Sequence, residues 1–300
     1  MVKYYLILFL KGMGMGVANV IPGVSGGTIA LVSEIYEELI NSLKSFDKKA
    51  LNLLFSCQIK SLIKYTNFYF LASIFSGSII SVFTIAILLK YLFSNYPVLI
   101  WAFFFGLILA SIIFVGKRVQ KWNIKTNISL IIGMIIAISL SYTSPATENS
   151  NLLFVFICGI IGISGMMLPG LSGSYILILM GNYELLMVTA VTELNITLLS
   201  VFFLGSIFGL ISFSHLLSWL LKNYKDATLS LLTGFIIGSL QILWPWKEVA
   251  ESVIINGQNK IISYSSFLPR ELNINTLFAI ILIILGFSVV FILEKFARKK

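Results

Sequence analysis

The residues best suited to chemistry lie in a run that cannot be one continuous helix. "NVIPGVSGGTIA" at 19–30 sets Pro22, Gly23, Ser25, Gly26, Gly27 and Thr28 inside a stretch apolar enough to enter a membrane. Proline lacks an N–H and collides with the preceding turn, so the incoming helix stops there. The glycines admit positive φ and let another group come close. Ser25 or Gly26 can then cap an outgoing helix that begins at about Thr28. The first amides of such a helix have no partner within it, and the macrodipole makes that end positive. The chemistry on offer is anion binding, phosphate above all.

The pattern occurs twice. "PGVSGGTI" at 22–29 returns as "PGLSGSYI" at 169–176, with Pro169, Gly170, Ser172, Gly173 and Ser174 in the matching places. Ser172 or Gly173 can cap a helix starting at about Tyr175. At the same offset Tyr183-Glu184 meets Tyr36-Glu37. Further on, Gly205-Ser206-Ile207 matches Gly77-Ser78-Ile79, Asn223-Tyr224 matches Asn95-Tyr96, and Gly234 matches Gly106. Ordered matches of this kind are the mark of an internal repeat. The offset changes because the first copy carries extra residues, the segment 44–66.

The elements that must hold these breaks are membrane helices. Of 300 residues, 58% are hydrophobic and 11% charged, against roughly 25% charged in soluble domains. The fold class is an all-α polytopic membrane protein. Six segments are long enough to span, about 68–92, 97–115, 127–143, 196–221, 227–246 and 275–294. Two further apolar regions, 3–43 and 151–192, are cut by the breaks. No cleavable signal is expected, because the run Tyr4–Leu10 is short and Lys11 interrupts it.

Charge assigns the sides. The net +9 sits in short loops at 44–64, 117–125, 222–225 and 294–300, which places them in the cytoplasm and argues against nucleic acid as the partner. Segments 142–151 and 247–271 carry little positive excess and face outward. Both termini are then inside. Each broken region returns to the side it entered from, so the span count is six if the broken halves only dip in and ten if they cross. The first broken hairpin opens to the cytoplasm and the second to the outside. The halves, 1–145 and 146–300, therefore read as an inverted-topology repeat with two broken, re-entrant-type hairpins. That architecture belongs mostly to transporters and channels, whose substrate sites lie near the midplane between discontinuous helices. Irregular backbone at that depth is tolerated only where protein or a wet cavity covers it.

Other residues receive plainer readings. Segment 44–66 alternates Leu51, Leu54, Phe55 and Ile59 with Lys48, Lys49, Lys60 and Lys64, as an amphipathic helix on the inner surface would. Cys57 and Cys158 have no metal or redox spacing and read as buried fillers. The five tryptophans fit an interfacial belt. His215, in an apolar span, reads as packing. Lys11 and Lys90 either snorkel or face the phosphate as counter-charges. Glu34, Glu37 and Glu184 follow the breaks; they line the hairpin mouths, carry a coupling proton, or sit at wet helix ends. No metal or other cofactor is called for.

The run "KGMGMGVANVIPGVSGGTIALVSEIYEELI" at 11–40, the second Pro-Gly-x-Ser-Gly copy and the span layout resemble the PopT-type polyprenyl-phosphate transporters, a bacterial membrane family first known as a domain of unknown function. The resemblance covers essentially the whole chain. It implies a flippase that returns undecaprenyl phosphate from the outer to the inner leaflet of the bacterial cytoplasmic membrane, where the carrier lipid is reused in envelope synthesis. It carries over Pro22, Gly23, Ser25, Gly26, Gly27, Thr28, Tyr36 and Glu37. It also implies an acidic residue where this chain has Asn19, so a carboxylate role does not transfer to that position. Membrane lipids are the remaining partners, H+ or Na+ a candidate coupling ion, and a homodimer a candidate assembly.

Two other readings stand beside this one. Broken helix ends also face the anion in chloride channels, so an anion channel or small-solute secondary transporter fits the motif; the spans here show few polar residues at helical spacing. Undecaprenyl-pyrophosphate phosphatases also use an inverted repeat and a Pro-Gly-x-Ser motif, but theirs continues with a phosphate-gripping Arg. Here Gly26 and Gly173 hold that position, and the arginines are only Arg118, Arg270 and Arg298. Hydrolysis needs a nucleophile with an activating base, and the sequence assembles none.

Overall fold

The computed structural model describes residues 2–20, 25–143, 146–190, 193–255, 258–269 and 273–297. All six expected spans are helices: α6 (Phe68–Asn95), α7 (Pro97–Gly116), α8 (Ile124–Ser141), α12 (Ile196–Asn223), α13 (Lys225–Leu243) and α14 (Ile274–Ala297). Among the described residues, Pro97–Gly116, Ile196–Asn223, Lys225–Leu243 and Ile274–Ile292 are long and apolar enough to cross a membrane. The chain is a multi-pass, all-α membrane protein.

Each broken region precedes three of these helices. The first comprises α1 (Val2–Val20), α2 (Gly26–Val32) and α3 (Tyr36–Lys44). The second comprises α9 (Leu152–Met167), α10 (Gly173–Leu179) and α11 (Leu185–Thr189), the last wound as a π-helical turn. Pro22 and Gly23 lie outside the described residues, as do Arg270 and Arg298 and the side chain of Lys90. The outgoing helices start at Gly26 and Gly173, two residues earlier than the sequence suggests. The reason is that Ser25 and Ser172 are the extended residues that precede them, with φ of −119° and −107°.

Segment 44–66 is two helices rather than one, α4 (Lys48–Phe55) and α5 (Ile59–Tyr65). Cys57 takes a left-handed φ of 53° between them. It is exposed and not a buried filler, whereas Cys158 is buried. Asp47 caps α4 by accepting from the amides of Lys49 (2.9 Å) and Ala50 (3.1 Å), and accepts the Tyr65 hydroxyl at 2.7 Å. This one carboxylate folds α5 back on α4. The segment after α13 also holds structure that the sequence did not announce. β1 (Lys247–Ile255) pairs antiparallel with β2 (Gln258–Ser266), Lys247 opposite Ser266 and Ile255 opposite Gln258.

The helices pack mainly in four pairs: α1 on α6, α9 on α12, α7 on α14 and α8 on α13. Lipid tails are as apolar as leucine, so such pairs are held by close backbone approach and not by hydrophobic expulsion. Glycines provide it. Gly77 packs on the Phe9 carbonyl and Gly205 on that of Phe156; Gly106 packs on Ile283 and Gly234 on Leu130. A methyl group at any of these four would overlap a carbonyl oxygen.

Candidate functional site

The two breaks meet inside the bundle and complete each other. A helix that stops at Met167 leaves its last carbonyls without intrahelical donors. The first broken region supplies them: the Ser25 hydroxyl donates to the Met166 carbonyl at 2.9 Å, and the Tyr36 hydroxyl to the Met167 carbonyl at 3.1 Å. In return the amide of Gly170 donates to Thr28 Oγ1 at 3.0 Å. Gly170 has a φ of +83°, which glycine adopts without strain. Gly27 closes the contact, because a Cβ there would stand 2.6 Å from the Met167 carbonyl oxygen. Ser25, Gly26, Gly27, Thr28, Tyr36, Pro169, Gly170, Ser172 and Gly173 are all buried.

The amides at the start of α2 are not open, contrary to the simplest reading of a broken helix. Gly26 N–H donates to Asn19 Oδ1 at 2.7 Å, Gly27 N–H to Ser25 Oγ at 3.0 Å, and Thr28 N–H to the Ser25 carbonyl at 2.9 Å. Asn19 thus satisfies the first amide of α2 from the end of α1. The second copy differs. Ser172 makes no side-chain cap; its hydroxyl is paired with that of Ser174 at 2.8 Å.

A cavity of about 200 Å³ reaches the first break. Asn19, Gly26, Gly27, Tyr36 and Ser78 are among the residues that line it. The rest is apolar, including Leu39 and Ile40 of α3, Phe75 of α6, Met166 of α9 and Leu210 of α12. Phe75 is also 42% exposed, so the wall on that side borders the outer face of the bundle. Ser172, Gly173 and Ser174 do not line the cavity.

The acidic residues singled out from sequence are engaged elsewhere. Glu34 pairs with Arg118 at 3.1 Å and Glu37 with Lys225 at 2.6 Å, each at an exposed position. Tyr183 and Glu184 are exposed, unlike Tyr36. Lys11 donates to the Ser33 carbonyl at 2.6 Å, tying α1 to the end of α2. His215 lies within 2.9 Å of the Ile211 carbonyl on its own helix. Nearby, Asp226 accepts from the amides of Gln120 (3.0 Å) and Lys121 (3.1 Å), and Lys44 donates to Ser218 at 3.2 Å. The segments 34–44, 117–121 and 218–226 therefore share one end of the bundle. Sequence reasoning missed Asn182, which is fully buried and exchanges two hydrogen bonds with the backbone of Asn149. Its place directly after Gly181, in a Gly-Asn pair of the kind that marks turns, was the available signal.

Interlocked broken helices within a glycine-packed bundle define a membrane protein of the transporter and channel class. The chain belongs to the family described as undecaprenyl phosphate translocase-like, whose model matches residues 15–262. It is 37% identical over 302 residues to the polyprenyl-phosphate transporter of Vibrio cholerae serotype O1, covering 98% of each chain. It is 30% identical over 263 residues to the polyprenyl-phosphate transporter of Staphylococcus aureus, covering 82% of this chain and 88% of that one. No solved structure matches it.

Proposed function

We propose that this chain moves polyprenyl phosphate, in the form of undecaprenyl phosphate, between leaflets of the bacterial cytoplasmic membrane, from the outer to the inner, with no covalent step. The observation that carries this reading is the cavity at the first break, which is lined by Asn19, Gly26 and Gly27 and otherwise mostly by apolar residues. The barrier to flipping a lipid phosphate is the head group, which loses its water on entering hydrocarbon. A phosphate oxygen that displaces Asn19 Oδ1 would take over the Gly26 amide, while the Gly27 amide and the Tyr36 hydroxyl stay with Ser25 Oγ and the Met167 carbonyl. The long tail stays in lipid beside Phe75. The names of the relatives support the same substrate.

The reading includes an inverted repeat of 1–145 and 146–300. Its support is pairwise. The contacts of α1 with α6 and of α7 with α14 have counterparts in α9 with α12 and α13 with α8. Gly77 on Phe9 corresponds to Gly205 on Phe156, and Gly106 on Ile283 to Gly234 on Leu130. Tyr96 and Tyr224, each joining two helices, share a φ of −136°. Gly16 packs on Ser78, near the middle of α6, which favours breaks at mid-depth. The basic loops gather at one end, which favours a cytoplasmic assignment for them and for both termini.

The test is a flipping assay in proteoliposomes with an enzyme-accessible polyprenyl phosphate. Ser25→Ala removes a donor to Met166 and the cap of α2, and is expected to slow flipping roughly tenfold or more. Ser172→Ala, whose hydroxyl meets only Ser174, is expected to leave it near normal. Chloride movement without lipid movement would replace this reading with a channel. Release of inorganic phosphate from the pyrophosphate lipid would replace it with a phosphatase.

A further inference from the structure

A second cavity, of about 370 Å³, opens between α5 and the first turns of α1 and α6. Lys60 and Lys64 of α5, Asn67 at the α5–α6 corner, Tyr5 of α1 and Tyr69 of α6 line it. The two lysines are four residues apart and so stand on one helix face. Both are exposed, and neither has an ion-pair partner among the described residues. The carboxylate at this corner, Glu38, accepts from Asn67 Nδ2 at 2.9 Å. Asn67 is held in a left-handed conformation with φ 50° and lines the cavity together with the two lysines. The rings of Tyr5 and Tyr69 lie 6.1 Å apart and form an aromatic wall.

The surroundings indicate what enters. Phe55 of the adjoining α4 is 82% exposed, and Leu51, Leu54 and Ile59 are about half exposed. Lysines interleaved with such residues belong at a membrane surface. Two lysine charges match a phosphate monoester, which carries about −1.5 to −2 at neutral pH; a phosphodiester carries one. The cavity is also in line with the first break. Tyr5 and Asn19 are fourteen residues apart on α1, so they lie within about 40° of each other and roughly 21 Å apart along the axis. Phe68, which lines this cavity, and Phe75, which lines the other, are seven residues apart on the same face of α6.

We propose that this cleft is the inner-surface station for the head group of a phosphomonoester lipid, with Lys60 and Lys64 as its charge partners and the α1–α6 groove as the track leading to it. The assignment of the transported lipid as its occupant rests on the function proposed above. The cleft itself would hold any lipid phosphate monoester of the inner leaflet.

The experiment is native mass spectrometry of the full chain in detergent. It counts bound lipids, so that loss of one at the cleft is separable from binding at the break. The probes are polyprenyl phosphate, phosphatidic acid, phosphatidylglycerol and inorganic phosphate. Each surface lysine contributes about a fivefold gain toward an anionic lipid, so Lys60→Gln with Lys64→Gln should weaken one site for both monoester lipids roughly thirtyfold. Lys60→Arg with Lys64→Arg, which keeps the charge, should retain it. Phosphatidylglycerol and inorganic phosphate should bind far more weakly to the unaltered protein. Unchanged affinity in the glutamine pair, equal loss for phosphatidylglycerol, or equal binding of inorganic phosphate would each overturn the proposal. If the unaltered protein flips no polyprenyl phosphate while the cleft still binds phosphatidic acid through the lysines, the transport reading fails and the cleft stands. If flipping proceeds and the glutamine pair binds normally, the reverse holds.

Discussion

Replacing Gly27 with alanine tests whether the two breaks must touch. The added Cβ would stand 2.6 Å from the Met167 carbonyl oxygen and 3.2 Å from Ser25 Oγ. Carbon and oxygen settle at about 3.3 Å or more, so α2 and the end of α9 must part by roughly 0.7 Å. That movement stretches three bonds at once: Ser25 to Met166 (2.9 Å), Gly170 to Thr28 (3.0 Å) and Tyr36 to Met167 (3.1 Å). Overpacking of this kind costs about 1–3 kcal/mol, and each weakened neutral bond adds a fraction of its ~1 kcal/mol. Alanine's better helix propensity returns about 1 kcal/mol. The net loss is about 1–3 kcal/mol, or roughly 2–5 °C in Tm from the per-residue unfolding entropy of a chain of 300 residues. Gly14→Ala is the control, since its Cβ would meet only the movable Ile29 methyl at 3.3 Å. Thermal unfolding in detergent and flipping in proteoliposomes should be measured on both variants. Gly27→Ala should lose stability and transport together, and Gly14→Ala should stay within about 1 kcal/mol of the parent. A Gly27→Ala protein that unfolds at the parent temperature and flips lipid at the parent rate would refute the close contact.

Two further outcomes are expected. Tyr36→Phe leaves the buried Met167 carbonyl without its hydroxyl donor and should lower stability by about 1 kcal/mol, read as a Tm shift. Lys247, beyond the last turn of α13, is pushed down to about 8 by burial, with its ammonium 3.7 Å from the Trp101 ring centroid. Tryptophan emission should therefore titrate near pH 8, and Lys247→Met should abolish that transition. Because the unfolded lysine keeps its proton up to about 10.4, this group's contribution to stability rises as pH climbs from about 8 toward that value.

Much of the architecture was legible along the chain. Each of the six long apolar segments became a helix, because hydropathy over about twenty residues is a local property that a bilayer reads directly. The break at Pro169 was legible for the same reason, since a missing N–H acts on its own turn. Turn chemistry was harder to read. Nothing in segment 44–66 announced that Cys57 would adopt a left-handed φ and divide one amphipathic helix into two. The ribbon of β1 and β2 was equally hidden, as its pairing links residues that alternate only weakly in polarity.

The sequence by itself determined that two apolar regions each carry a Pro-Gly-x-Ser-Gly stretch, at 22–26 and 169–173. It also set which loops carry the positive charge. Only the tertiary structure decided who satisfies whom. The carbonyls of Met166 and Met167 find hydroxyls 141 and 131 residues away, and Thr28 finds an amide 142 residues away. The structure also placed Asn19 on the Gly26 amide, gave the first copy rather than the second to the cavity, and sent Glu34 and Glu37 to surface ion pairs. The physical reason is that a buried polar group must be paired. Sequence states that need, but the partner is chosen by helices that meet only when the whole bundle has packed.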